Sequence, residues 1–178
     1  MLKNLRISAR LIAAFAVVLL LMATLAALAL SRLSATNADL QLIVNDRFVK
    51  TAMTNEIIGD TSRIAINLRN MLLAASKDDA RQQKVRILEA RKRIGENVEK
   101  LDKLLTLPKG RELFKVTTDK RQQYIAGQEQ LIRLIEEDKG EEARAYLNAE
   151  LRPILLAYQT ALDNLNKFQE ELMRQSGE

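Results

Sequence analysis

Residues 141–175, EEARAYLNAELRPILLAYQTALDNLNKFQEELMRQ, carry the pattern that decides the fold. Core-type side chains recur there at alternating steps of four and three: Leu147, Leu151, Ile154, Tyr158, Ala161, Leu165, Phe168 and Leu172. A spacing that averages 3.5 residues is typical of helices packed knobs-into-holes in a left-handed bundle. Pro153 lies inside this segment and predicts a kink near Ala149–Arg152, because proline removes a helical hydrogen bond.

The same spacing continues through three earlier segments. Turn-forming residues separate them at 76–79, 107–110 and 138–140. We therefore predict helices over 32–75, 78–107, 111–138 and 141–175. Ser76 is the expected N-cap of the second helix, with Asp79 three residues on. Since short loops favour antiparallel neighbours, the sequence predicts an all-α fold, an antiparallel up-down-up-down four-helix bundle.

The amino-acid composition excludes several classes of function. The 178 residues include no Cys and no His, which removes the commonest metal ligands, a thiol nucleophile and the commonest general base. We predict a protein that is not an enzyme and uses no metal or other cofactor. A four-helix haem protein or di-metal carboxylate protein is disfavoured for the same reason.

An uncharged run, Leu11–Leu30 (LIAAFAVVLLLMATLAALAL), precedes the bundle. A helix of twenty residues is about 30 Å long, the thickness of the membrane hydrocarbon. We therefore expect a transmembrane helix that continues into the bundle. A cleaved signal peptide is the alternative, because Ala27-Leu28-Ala29 fits a small-x-small cleavage site. The length of the run and the helical sequence directly after it favour the anchor.

The net charge of +5 is concentrated at the N-terminus. Three cations precede the apolar run: Lys3, Arg6 and Arg10. Because only Arg32 closely follows it, the positive-inside rule places residues 1–10 in the cytoplasm and residues 31–178 in the periplasm of a bacterium. The remainder shows no basic stripe with interleaved aromatics, so no nucleic-acid partner is expected.

Polar residues stand at or beside core-facing positions where a bundle normally has leucine, and they are the candidate ligand-binding residues: Thr61, Arg91, Thr117, Arg121, Tyr124, Gln128 and Tyr158. Counted from the distal turns, all except Thr117 fall within an axial band of about 12 Å. A buried arginine needs a carboxylate, water or a bound anion. The band therefore predicts a pocket for a small carboxylate, clamped by Arg91 and Arg121.

Other arginines are weaker candidates. Arg63 and Arg69 lie off the seam, facing a possible dimer groove, and Arg47 is interpreted as a register or dimer-packing residue. The alternative interpretation of the whole band is structural, because buried arginines often extend their charged ends to water and polar core residues often set helix register.

Helix one carries a second apolar row beside its core row: Ile43, Ile57, Ile64 and Met71. A helix that is apolar over two rows can face both its own bundle and a partner subunit. We therefore expect a homodimer formed through helix one.

Several short stretches, in a fixed order, carry a family resemblance. They are MLKNLRISARLIAAFAVVLLL at the start, NLRNMLL at 67–73, Arg121-x-x-Tyr124, ELRP at 150–153, Tyr158 and FQEELM at 168–173. Together they resemble the N-terminal half of a methyl-accepting chemotaxis protein with a four-helix-bundle sensory domain. The resemblance spans essentially the whole chain.

The resemblance implies an inner-membrane dimer that binds a small ligand, such as an organic acid or amino acid, in the periplasm. Its fourth helix would shift on binding and act on a cytoplasmic histidine kinase through a second transmembrane helix and a signalling region, which residues 1–178 do not include. Arg121 and Tyr158 match ligand-contact positions of carboxylate-binding relatives. Gln128 departs from an arginine often found there, and Arg91 could replace that charge.

We therefore expect a chemoreceptor sensory module for a small organic acid, a di- or tricarboxylate, that signals by a helix shift. Two alternatives stay open: the input domain of a sensor histidine kinase or cyclic-dinucleotide enzyme, and a ligand-free, membrane-tethered helical interaction protein.

Overall fold

The computed structural model describes residues 7–175, which are helical almost throughout. The helices are α1 (Ile7–Leu42), α2 (Phe48–Leu72), α3 (Lys77–Leu104), α4 (Pro108–Glu136), α5 (Gly140–Tyr146) and α6 (Arg152–Gln175). Five-residue π-helical turns, Ile43–Arg47 and Leu147–Leu151, precede α2 and α6. Two compact units meet in sequence between Leu42 and Ile43. The predicted basic leader lies outside the described residues as far as residue 6, as do residues 176–178.

The first unit consists of α1. Its stretch Phe15–Ser34 has a mean hydropathy of 2.2 and is long and apolar enough to cross a membrane, by length and composition. None of this stretch is buried inside the protein, as expected for side chains that face lipid. It overlaps the predicted span over residues 11–30.

The second unit is a bundle of four helical rods: α2, α3, α4, and a fourth made of α5, the second π turn and α6. Contacts between neighbours run in opposite chain order. Asp60 and Glu56 of α2 meet Arg93 and Asn97 of α3. Thr117 and Gly110 of α4 approach Ala161 and Phe168 of α6. The prediction of an all-α four-helix bundle is confirmed, and no strand occurs in residues 7–175.

The loops follow the chemistry of their residues. The side chain of Ser76 accepts a hydrogen bond from the Asp79 backbone N–H at 3.1 Å, so the predicted N-cap is confirmed. The expected turn at 107–110 is shorter than predicted, because α4 already begins at Pro108. Proline fits the first helical position, where its missing N–H is not needed. Gly110 therefore lies in the helix, where a Cβ would stand 3.3 Å from the Phe168 ring.

The fourth rod is interrupted where Pro153 predicts a kink. The interruption is the π turn Leu147–Leu151, immediately before Arg152 and Pro153. A proline ring clashes with the carbonyl four residues earlier, and a wider turn moves that carbonyl away. The helix predicted over 32–75 is helical as far as Leu72 and contains another π turn, Ile43–Arg47, between α1 and α2.

The apolar row predicted to face a partner subunit packs inside its own bundle. Ile57, Ile64 and Met71 are at most 3% exposed in the single chain, and the side chain of Ile43 lies outside the described residues. The heptad spacing predicts a core row of Thr51, Thr54, Ile58, Thr61, Ala65, Leu68 and Leu72 on this helix. Four of these residues are buried, but Ile58, Ala65 and Leu72 are only half-buried, so the core of α2 is shifted towards the neighbouring row. Packing against three other rods decides this rotation, which the repeat alone leaves open by about one position.

Candidate functional site

Five predicted site residues line one small cavity in the centre of the bundle. We call this set the polar layer: Arg91 from α3; Arg121, Tyr124 and Gln128 from α4; and Tyr158 from α6. Ile64 of α2 closes the remaining side. The predicted alignment of these residues across the helices is therefore present in the structure.

Hydrogen bonds within the layer are few. Arg91 Nε donates to the Gln128 side-chain oxygen at 2.7 Å, and Arg91 Nη1 reaches the exposed carboxylate of Glu129 at 3.5 Å. Arg91 Nη2 and the hydroxyl of Tyr124 are buried without a hydrogen-bond partner among the residues described. Arg121 makes no hydrogen bond or ion pair with any residue in 7–175. Because unpaired buried polar atoms are costly, a ligand that supplies acceptors would be stabilised in this layer.

Burial controls the protonation of this layer. It raises the pKa of Tyr158 to about 12, against smaller lowering effects from the Thr61 hydroxyl and the Arg121 charge. Burial also raises the pKa of Tyr124 well above its usual range, with Arg91 and Arg69 opposing. It lowers the pKa of Arg91, and Arg121 lowers it further, while Glu129 raises it. At neutral pH both phenols are therefore protonated donors beside two guanidinium groups.

The layer is closed in this conformation. Its cavity has a volume of about 10 Å³, room for about one water molecule. The Tyr124 and Tyr158 rings stand with their centroids 5.9 Å apart. A carboxylic acid is too large for the cavity in this conformation.

The remaining predicted residues take other positions. Thr61 is fully buried, and its hydroxyl interacts with that of Tyr158. The Thr117 hydroxyl lies 2.8 Å from the Leu113 carbonyl oxygen and 3.2 Å from that of Ala161, and joins α4 to α6. Arg63 is exposed and bound to Asp60 at 2.7 Å. Arg47 is half-buried and lies 3.5 Å from Asp46.

A larger pocket of about 330 Å³ adjoins the layer, with Tyr124 as the shared wall. We call it the α2–α6 pocket, and its lining is Ala65, Leu68, Arg69, Tyr124, Leu147, Asn148, Leu151, Arg152 and Leu155. Neither Arg69 nor Arg152 has an ion-pair partner among the residues described. The pocket thus combines an apolar surface with two free positive charges, the combination that suits a small organic anion.

The sequence predicted Arg69 as a secondary candidate but missed Asn148 and Arg152. Both belong to the π turn or directly follow it. The available signal was Pro153, which marks an interruption in the helix and therefore a place where side chains leave the regular seam. Elsewhere in residues 7–175, no cluster of acidic residues has the arrangement of a metal site.

Comparison with known proteins agrees with this architecture. Residues 4–178 match the family model described as a four helix bundle sensory module for signal transduction. No curated protein matches the chain. Since the family match covers almost the whole sequence and the structure has the corresponding bundle, the chain belongs to the four-helix-bundle sensory modules of chemotaxis receptors.

Proposed function

We propose that this sensory module binds a small organic acid in the periplasm, with residues 1–10 in the cytoplasm and residues 11–30 in the membrane. The observation that carries the proposal is the unpaired positive charge around Tyr124. Arg69 and Arg152 on one side, and half-buried Arg121 on the other, have no carboxylate partner within the described chain. A carboxylate that bridges guanidinium groups forms strong, charge-assisted hydrogen bonds.

The pocket suggests how the acid would be held. Its leucine side chains suit a short carbon chain, and Arg69 and Arg152 suit a first carboxylate. A second carboxylate would lie beyond Tyr124, where Arg91 and Arg121 clamp it and Tyr158 donates a hydrogen bond. Thr61, Thr117 and Gln128 would set the fit. Arg63 is already bound to Asp60, so it would stay outside the site.

Closure of the layer supports a mechanism based on helix movement. The acid needs more room than about 10 Å³, so its second carboxylate enters only when α6, which carries Arg152 and Tyr158, moves relative to α2 and α4. A ligand shifts a conformational equilibrium only by binding one state more tightly. Ligand contacts to α6 would provide that difference, and the full-length receptor would transmit the shift to a cytoplasmic histidine kinase.

Calorimetric titration of the full chain in nonionic detergent tests the proposal against C3–C6 mono-, di- and tricarboxylates. We expect saturable binding of one acid and a loss of at least about tenfold in affinity for Arg69→Ala and Arg121→Ala, the cost of one charge-assisted hydrogen bond. Arg111→Ala is the matched control, because Arg111 is exposed and paired with Asp102. Circular dichroism checks the fold of each variant.

Absence of binding across the panel, or unchanged affinity in both arginine variants, contradicts the proposal. The arginines would then serve helix register, as expected of a ligand-free interaction protein.

We also propose that the module dimerises through α2, although through a different face from the row predicted from the sequence. Heptad-spaced residues with exposed or half-exposed side chains follow this face: Phe48, Ala52, Asn55, Gly59, Ser62, Ile66, Arg69 and Leu73. The large apolar residues Phe48, Ile66 and Leu73 are more than half exposed, and Gly59 leaves open space for a close approach. This pattern of apolar residues around small ones fits a second helix packed along α2.

Sedimentation equilibrium in detergent tests the dimer. Ile66→Glu places a charge in the proposed interface and is expected to yield monomers with unchanged helicity. Leu156→Glu is a matched control, because Leu156 of α6 is 54% exposed, compared with 52% for Ile66. An Ile66→Glu chain that remains dimeric would exclude this face.

A further inference from the structure

One glutamine in the core of the bundle has no hydrogen-bond partner at either end of its amide. Gln169 of α6 is 1% exposed, and neither its oxygen nor its nitrogen bonds to any residue in 7–175. The amide nitrogen lies beside Gly110 of α4, where a Cβ would stand 3.8 Å from it. The same Cβ would meet the apolar side chains of Leu105 and Phe168. Gln169 therefore buries a polar group in apolar surroundings, which costs free energy.

A second unpartnered group lies at the same level on a neighbouring helix. The Thr51 hydroxyl of α2 is buried and has no hydrogen-bond partner within the described chain. The interacting hydroxyls of Thr61 and Tyr158 mark one level shared by α2 and α6. Thr51 precedes Thr61 by ten residues. Gln169 follows Tyr158 by eleven, so, because the two helices run in opposite directions, Thr51 and Gln169 both lie about 15 Å away on the same side of that level.

We infer that Thr51 and Gln169 form a switch that penalises this position of α6 and favours a displaced one, in which the hydroxyl and the amide bond to each other. Proteins pair nearly all their buried polar side chains, and a buried group without a partner stores free energy in the fold. A hydroxyl and an amide can each donate and accept, so they can satisfy one another across two helices. A shift of α6 that brings the two groups together relieves the cost.

This inference rests on the proposed function, because it explains why a ligand bound far from Gln169 can displace α6. Gln169 lies about 25 Å along α6 from Arg152 and lines neither the α2–α6 pocket nor the polar layer. The organic acid would select the displaced position of α6. The switch would lower the free energy that this displacement requires.

Urea unfolding of the full chain in nonionic detergent, without any organic acid, tests the switch. Gln169→Met and Thr51→Val replace each polar side chain by an apolar one of similar shape. We expect each to raise the midpoint of unfolding, because it removes a buried unpartnered group and breaks no hydrogen bond. Gln128→Met is the matched control. Gln128 is also 1% exposed but accepts a hydrogen bond from Arg91 at 2.7 Å, so its substitution should lower the midpoint.

Hydrogen exchange of the same acid-free chains measures how firmly α6 is held. We expect Gln169→Met to slow amide exchange in α6 by a larger factor than in α3. A lower unfolding midpoint for Gln169→Met overturns the inference, since water or Thr51 then already satisfies the amide in the present position. Equal effects on exchange in α6 and α3 also overturn it, because Gln169 would not control the position of α6.

With an acid that binds the wild-type chain, Gln169→Met should weaken binding at least about fivefold although residue 169 does not line the pocket. Unchanged affinity overturns the inference and leaves the proposed function intact. A wild-type chain that binds no acid overturns the proposed function, and the two acid-free measurements then decide the switch by themselves.

Discussion

At the scale of single residues, Asp60 is a buried carboxylate that connects two helices through arginine side chains. Its carboxylate is 3% exposed and accepts hydrogen bonds from Arg93 at 3.0 and 2.7 Å and from Arg63 at 2.7 Å. Burial raises the pKa of Asp60, but the hydrogen bonds from the two arginines outweigh it and leave the pKa below its usual value. Asp60 therefore joins α2 to α3 as an ion.

Asp60→Asn is expected to lower the free energy of unfolding by about 2 kcal/mol at neutral pH, since it removes charged hydrogen bonds from a buried group. The pKa of Asp60 is lower in the folded chain than in the unfolded chain, so the ionised carboxylate stabilises the wild-type fold above the unfolded pKa of about 4. This stabilisation is lost as the pH falls through the lower pKa of the folded chain. Urea unfolding between neutral and acid pH measures both effects, and the gap between wild type and variant should narrow in acid.

Asp102→Asn is the control for this prediction. The side chains of Asp102 and its partner Arg111 are both more than half exposed. We therefore expect this substitution to change the free energy of unfolding by less than about 1 kcal/mol. The prediction is contradicted if Asp60→Asn and Asp102→Asn lower the free energy of unfolding equally, or if the difference between wild type and Asp60→Asn does not depend on pH. Asp60 would then contribute no more than a surface ion pair.

At the scale of helical elements, a glycine on α4 makes room for the π turn of the fourth rod. A Cβ on Gly127 would lie 2.6 Å from Leu151 Cδ1 and 3.4 Å from the Tyr146 hydroxyl oxygen. Leu151 is 1% exposed and packs in the core, so a Cβ at residue 127 would force its side chain to shift. The absence of a side chain at residue 127 thus allows α4 and the π turn to approach closely.

Gly127→Ala is expected to destabilise the bundle by about 1–2 kcal/mol, because overpacking outweighs the better helix propensity of alanine. Gly95→Ala is the matched control on α3, where the nearest atom is the flexible end of Arg121 at 3.6 Å. It should be neutral or stabilising by up to about 1 kcal/mol. Urea unfolding compares the two, and a gain in both variants would mean that the π turn does not need Gly127.

At the scale of the whole molecule, the N-terminal helix and the cationic leader set the proposed orientation in the membrane. The chain contains no cysteine, so a single introduced thiol reports its own location. In intact bacteria, we expect a membrane-impermeant maleimide to label Ala75→Cys, in the exposed loop before α3, but to label Asn4→Cys only after permeabilisation.

The opposite labelling pattern would place the bundle in the cytoplasm. A mature chain from which the Asn4→Cys thiol is missing altogether would show that the leader is a cleaved signal peptide.

Four features follow from the order of the residues alone: the number of bundle helices, the Ser76 cap, the helix interruption before Pro153 and the common level of the five polar-layer residues. These features depend on repeat spacing and on counts along a helix, which are one-dimensional properties. The chemistry of Arg91, Arg121 and Tyr158 as ligand contacts remains a prediction.

Three other features required the packed fold: the row of α2 that faces inward, the contact between Asp60 and Arg93, and the pocket containing Arg152 beside the closed polar layer. A 3.5-residue repeat leaves the rotation of each helix free by about one position, and a π turn changes that rotation again. The choice between these rotations comes from packing all four rods at once, because the buried surface of each rod depends on the other three.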